Sequence, residues 1–249
     1  MAKNKHGLIR NIPNVIKRKV RKRCGFGCVV CGTAIVEYHH FEPEYSEAKE
    51  HKRKDITLLC PTCHSKVDKK IFDLDFIKKS DNNPKCKQVG FTKDVLYVGN
   101  EIISFKMGSA SFKRLVVVIY DGTPLIYFSP PEYEGGPLRL NATIYDKTGE
   151  QLLRIEDNEW KSGIEHYDLE TQSKYLIIRE KKGDVKLKLS IVAEKEISIE
   201  KMDMNYKGFR VKVEGGQFKV QTPKGGHLNL ICPNIYATLR LGSDGSVSL

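Results

Sequence analysis

Residues 25–41, GFGCVVCGTAIVEYHHF, and residues 56–64, ITLLCPTCH, decide how the first third of this 249-residue chain folds. Each stretch carries a short cysteine pair, Cys28-Val-Val-Cys31 and Cys60-Pro-Thr-Cys63. A C-x-x-C pair can wrap one turn around an ion. Two such pairs supply the four soft ligands of a tetrahedral zinc site. The bland alternative is four buried apolar thiols, and Gly32 and Pro61 beside the pairs speak against it. Cys24 is close enough to compete as a ligand, but its spacing to Cys28 is unusual, so it reads as a spectator with Cys86 and Cys232. Seven cysteines in this arrangement fit a reducing compartment with one metal knot better than a disulfide framework.

Working outward, Pro13 suits the first turn of a helix, with Val15, Ile16 and Val20 on its apolar side. Residues 25–27, Gly-Phe-Gly, end it. Residues 33–41 read as a strand ending at His39-His40, and residues 56–59 as a second, shorter one. From Pro61 a helix is expected, with Val67, Ile71, Leu74 and Ile77 on one face. Residues 81–89 read as a polar linker around Pro84. Residues 90–249 then show short alternating runs separated by Gly-containing turns, which predicts an all-β domain, a sandwich or a stacked solenoid. The expected fold class is α+β: a small metal domain over residues 1–80, then the all-β domain.

Charge is unevenly spread. Residues 1–80 hold 18 Lys and Arg against 9 Asp and Glu, while the remainder holds 24 against 22. The basic surplus lies where the cysteines lie, which points to a polyanion there; a solvated surface is the competing reading. Five of the seven histidines are also in this part. A strand sends His39 and His40 to opposite sides. One of them facing His64, on the first turn of the following helix, could hold a hard divalent ion. The other could take a proton from water nearby. The competing reading is a polar strand end and a helix cap. No stretch approaches the length of a membrane span and residues 1–10 carry no apolar signal core, so an intracellular, cytoplasmic location without membrane partners is expected.

The run IPNVIKRKVRKR, GFGCVVCG, YHHFEPE and DITLLCPTCH over residues 12–64 resembles the HNH endonuclease family. That resemblance implies a ββα-metal domain beside a four-cysteine zinc site, and a metal-dependent hydrolase that cuts phosphodiester bonds, most often in double-stranded DNA. Carried over, His40 is the general base, and His39 and His64 hold the catalytic divalent ion (Mg²⁺, Mn²⁺, Ni²⁺ or Zn²⁺). Cys28, Cys31, Cys60 and Cys63 hold structural Zn²⁺. The middle asparagine of the family falls on Asp55, a carboxylate that accepts hydrogen bonds but donates no amide ones. His51 reads as a surface histidine or an extra contact. Lys17, Arg18, Arg21, Lys22 and Arg23, with Lys66 and Lys69, are the expected phosphate contacts. The rival readings are a zinc-stabilised DNA-binding module without catalysis, and an assembly protein whose β domain is the working part. Within that domain Trp160 and Tyr167 fit core packing better than a binding face.

Overall fold

The computed structural model describes residues 3–101, 104–193, 195–231 and 234–249; Cys232 lies outside them. The chain divides into two units. The first holds residues 1–94 and 163–171, the second residues 95–162 and 172–249.

The first unit begins with an arm that runs to Ile12 and enters helix α1 (Asn14–Cys24). Pro13 stands at its start. Gly25, left-handed at φ 72°, stops it by returning its N–H to the Arg21 and Lys22 carbonyls. Strands β1 (Glu37–His40) and β2 (Ile56–Leu59) pair antiparallel, with His39 opposite Thr57 and His40 opposite Ile56. The strand expected over residues 33–41 is therefore shorter. Residues 33–35 instead run beside strand β3 (Phe91–Val95), through a Thr33–Lys93 bridge and the Ile35 N–H on Asp94.

Helix α2 (Pro61–Asp68) follows β2 directly, and α3 (Leu74–Asn82) comes after a break. One continuous helix from Pro61 was expected. Lys70 at φ 57° interrupts it. Asp73 then restarts it by capping the Phe76 N–H at 2.7 Å. The expected linker over residues 81–89 is also ordered structure. It contains α4 (Lys85–Val89), and Asp81 and Cys86 are buried because each side chain has a partner inside the unit. Ile12, Val20, Ile56, Leu58, Leu59 and Ile77 pack with Cys24, Cys28, Cys60 and Cys63 into one core.

In the second unit, residues Val116–Tyr120, Thr123–Ser129, Arg139–Tyr145, Gln151–Glu156 and Glu159–Gly163 form an antiparallel meander. Leu239–Leu241 adds in parallel to its first strand. The second sheet runs through Tyr175–Lys181, Asp184–Val192, Glu196–Tyr206, Phe209–Glu214, Gln217–Gln221 and His227–Leu230, each strand antiparallel to the next. Burial alternates along the strands, as in Arg139–Tyr145, so each sheet buries one face. The strand Ser104–Met107 joins the second sheet in parallel to Glu196–Tyr206, and the sheets meet through its Phe105 against Phe128 and through Tyr206 against Tyr120 and Tyr145. Trp160 is buried here.

The α+β class with a self-contained N-terminal ββα-metal domain does not hold. Strand makes up 45% and helix 14% of the described residues, so the fold is mostly β. The two strands of the first unit's sheet are four residues each, and that unit is completed by three further helices and by residues 163–171. The solenoid option fails for another reason: successive strands pair as antiparallel hairpins, which leaves no stacked rungs.

Candidate metal centre and histidine cavity

The two cysteine turns meet because β2 pairs with the first of them. The Val29 N–H, between Cys28 and Cys31, donates to the Leu58 carbonyl at 3.0 Å, just ahead of Cys60. The first turn closes on itself, with the Gly32 N–H on the Cys28 carbonyl at 2.9 Å and the Cys28 N–H on the Thr33 carbonyl at 2.8 Å. Gly32 makes this possible at φ 85°, where a side chain would be strained. Gly27 is needed for room: a Cβ there would lie 2.7 Å from the Gly32 carbonyl oxygen. The second turn is the start of α2, where the Cys60 sulfur accepts from the Cys63 N–H at 3.4 Å and caps the helix.

As a result Cys28, Cys31, Cys60 and Cys63 have their sulfurs within 4.8 Å of one another, with Cys31 and Cys60 at 3.6 Å. A tetrahedral ion with Zn–S bonds of about 2.3 Å spaces its sulfurs about 3.8 Å apart, so the group can hold a metal ion of that size. The thiols already compete for protons. Their hydrogen bond pushes Cys28 up and draws Cys31 down to about 4, while burial pushes Cys63 up to about 12. A dication relieves that competition by taking all four as thiolates. Cys24 is not part of the group; its thiol faces Thr57 and Asp81, and burial pushes it up to about 12.

A cavity of about 730 Å³ lies in the same unit, lined by His39, His40 and His64 together with Arg10, Tyr45 and Asp68. His39 Nδ1 and His64 Nε2 stand 2.9 Å apart. At that separation the two rings share a hydrogen bond; about 3.0 Å is also the spacing of two nitrogens at right angles on an octahedral ion with bonds of about 2.1 Å. Glu37 accepts from His64 Nδ1 at 2.6 Å, which turns His64 Nε2 toward His39. The sequence reading does not single out Glu37. Its signal is the period of two along β1, which puts it on the same face as His39.

His40 takes a different partner. Its Nε2 is 3.0 Å from His51 Nδ1, and His51 Nε2 is 2.9 Å from the Ile9 carbonyl oxygen. His51 is thus no idle surface histidine. Burial, with the neighbouring His64, lowers His39 to about 4; burial, with His51, His39 and Arg10 nearby, lowers His40 to about 4. Both rings are neutral at pH 7 and keep a lone pair. Asp55 is tied in through its main chain. Its backbone carbonyl receives the Phe41 N–H at 3.0 Å, and among the described residues no hydrogen bond joins its buried carboxylate to His40.

The expected phosphate contacts separate into two kinds. Arg21 is buried, with Nε and Nη2 on the two Asp168 oxygens at 2.8 and 2.6 Å and Nη1 on the Tyr38 hydroxyl at 2.6 Å. Burial alone would lower this guanidinium, but Asp168, with Tyr38 and Glu170, holds it above its usual value. Arg23 pairs with Asp81 and donates to the Ile56 carbonyl. These two are corrected to structural ties, because the helix that carries them packs against acidic partners. Arg18 stacks on Tyr167 at 4.3 Å and Lys22 donates to the His166 carbonyl at 2.7 Å, so both also hold residues 163–171. Lys17 lies over Tyr38 and Lys66 over Phe72; both are half-buried, with their stems along apolar surface. Lys69 caps α2 and is exposed.

No family, no curated protein and no solved structure matches this chain. Among the described residues only the four thiols form a group of three or more metal-ligating side chains, and no helix is long and apolar enough to cross a membrane.

Proposed function

We propose that the chain is a metal-dependent endonuclease of the HNH type, hydrolysing phosphodiester bonds in double-stranded DNA. The observation that carries this reading is that His39, His40 and His64 line one cavity, where the hydrogen-bonded nitrogens of His39 and His64 are close enough to share an ion. Zinc on the four thiols is structural and holds the two turns that place β1, β2 and α2. His39 and His64 would hold a divalent ion, and the chemistry it would supply there is Lewis-acid stabilisation of phosphoryl oxygens. Glu37 keeps His64 in the tautomer that offers Nε2. His40, neutral at working pH, takes the proton of the attacking water. Lys17, Lys66 and Lys69 are the side chains left to neutralise backbone phosphates.

A second reading has its own observation. The histidine cavity offers two ligands where the sulfur site offers four, which is what a zinc-stabilised DNA-binding module without catalysis would retain. One assay separates the two: supercoiled plasmid incubated with Mg²⁺, Mn²⁺ or Ni²⁺. The nuclease nicks it, and His40→Ala loses about a hundredfold or more in rate with zinc content unchanged. DNA binding without nicking in any of these ions, or nicking that survives in His40→Ala, overturns the nuclease.

A further inference from the structure

We propose that His51 is the positioning residue of this site: by accepting the Nε2 proton of His40, it fixes the tautomer that leaves His40 Nδ1 as that ring's one lone pair. The inference rests on the nuclease reading for its consequence, but not for its geometry.

The Ile9 carbonyl oxygen can only accept, so the contact at 2.9 Å requires a proton on His51 Nε2. A neutral His51 with its proton there has a bare Nδ1. That nitrogen is 3.0 Å from His40 Nε2, so His40 must be the donor. A neutral His40 with its proton on Nε2 has its lone pair on Nδ1. One backbone carbonyl, in the N-terminal arm and far from His40 in sequence, thereby sets which nitrogen of His40 is the base.

The carbonyl is well held. Asn4 donates from Nδ2 to the Tyr45 and Ala48 carbonyls at 2.6 and 2.7 Å, and Tyr45 donates its hydroxyl to the Leu8 carbonyl at 2.8 Å. Arg10 lies over the Tyr45 ring, and Ile12 is buried in the core beyond it. The arm of residues 4–12 is therefore clamped to the loop that carries His51, on both sides of Ile9. Tyr45 also flanks the His40 ring, with ring centres 5.6 Å apart. His51 has no other hydrogen-bond partner among the described residues, so its two nitrogens serve this relay alone. A histidine is not required for the role. A glutamine side chain has a carbonyl to accept from His40 and an amide to donate to Ile9.

The test is made on the full-length protein near neutral pH with zinc present. Long-range ¹H–¹⁵N correlation spectra of the imidazole rings report the tautomer of His40, assigned by the signal lost in His40→Gln. The wild type is expected to show a solvent-protected proton on His40 Nε2. In His51→Ala that signal vanishes into exchange, and in His51→Gln it returns. In the plasmid assay His51→Ala lowers kcat about tenfold to a hundredfold with KM within about twofold, and His51→Gln recovers most of it. A His40 proton found on Nδ1, as a cationic His51 would impose, overturns the proposal. So does an Nε2 signal unchanged in His51→Ala. If the spectra behave as expected and the wild type cuts nothing, the relay stands and the nuclease falls.

Discussion

Each of the two units of this protein is held together by its own physics. The β unit is built from long hairpin strands whose inward residues, among them Leu140, Ile144, Ile199, Phe209 and Val213, are almost fully buried, so apolar area closes it. The N-terminal unit has short strands, short helices and a small apolar core into which the cysteines themselves are packed. It depends on directed ties: the thiol group, the buried Arg21–Asp168 pair, and the arm clamped through Asn4 and Tyr45. Directed ties place side chains to within a bond length. That is what a site needs and what a smooth apolar core does not supply.

Emptying the four-thiol site should have the largest effect. Structural zinc in small thiolate sites supplies on the order of 10 kcal/mol of folding energy, which exceeds what this unit's core can replace. Chelation, or Cys60→Ala, should therefore unfold the N-terminal unit while leaving the β unit intact. Thiol reactivity reads the first. Fluorescence of Trp160, the one tryptophan, buried in the β unit, reads the second. A protein purified without zinc, or thiols that stay protected after chelation, would show that apolar packing carries both units.

The same contrast explains what is legible in the sequence. Spacing reveals the cysteine group and the histidine doublet, because both depend on residues within a turn or a strand of one another. Alternation reveals the β unit as a class, though not its strand order. Arg21 passes for a phosphate contact because nothing nearby in sequence shows that Asp168 lies against it; the pairing spans 147 positions. His51 passes for a surface histidine for the same reason, since its meaning depends on the Ile9 carbonyl. Lys70 breaks a good helical pattern with one left-handed residue that no periodicity reveals. Contacts set by distant residues stay hidden, and in this unit they are the ones that shape the site.

Arg21 gives the next test. Its partner Asp168 is buried. Truncating one side leaves an uncompensated charge, so Arg21→Ala should cost the N-terminal unit about 3–5 kcal/mol. Lys66→Ala removes a half-buried cation that has no ion pair among the described residues. It should stay within about 0.5 kcal/mol. Urea unfolding followed by thiol reactivity measures both. Equal small effects would return Arg21 to the surface and to the phosphate contacts.

The last test is in pH, and the sign of the effect is the same in both units while its window differs clearly. His39 and His40 are lowered to about 4 in the folded unit. Their unfolded value is about 6.5, so the native state binds fewer protons between these values. The N-terminal unit therefore keeps its full stability above about pH 6.5 and loses it as pH falls toward about 4. In the β unit the titrating tie is Asp146. Burial would raise its carboxyl, but bonds from Thr148, Lys186 and Glu150 hold it well below the usual range. Its contribution is present above about pH 4, the unfolded value, and is lost only below that. An acid titration should thus release thiol protection before Trp160 fluorescence changes, and His40→Gln should move the first transition to lower pH without moving the second. Coincident transitions would mean that the neutral histidines do not set the acid limit of their unit, and that the two units fail together for a reason other than the proton balance of their separate ties.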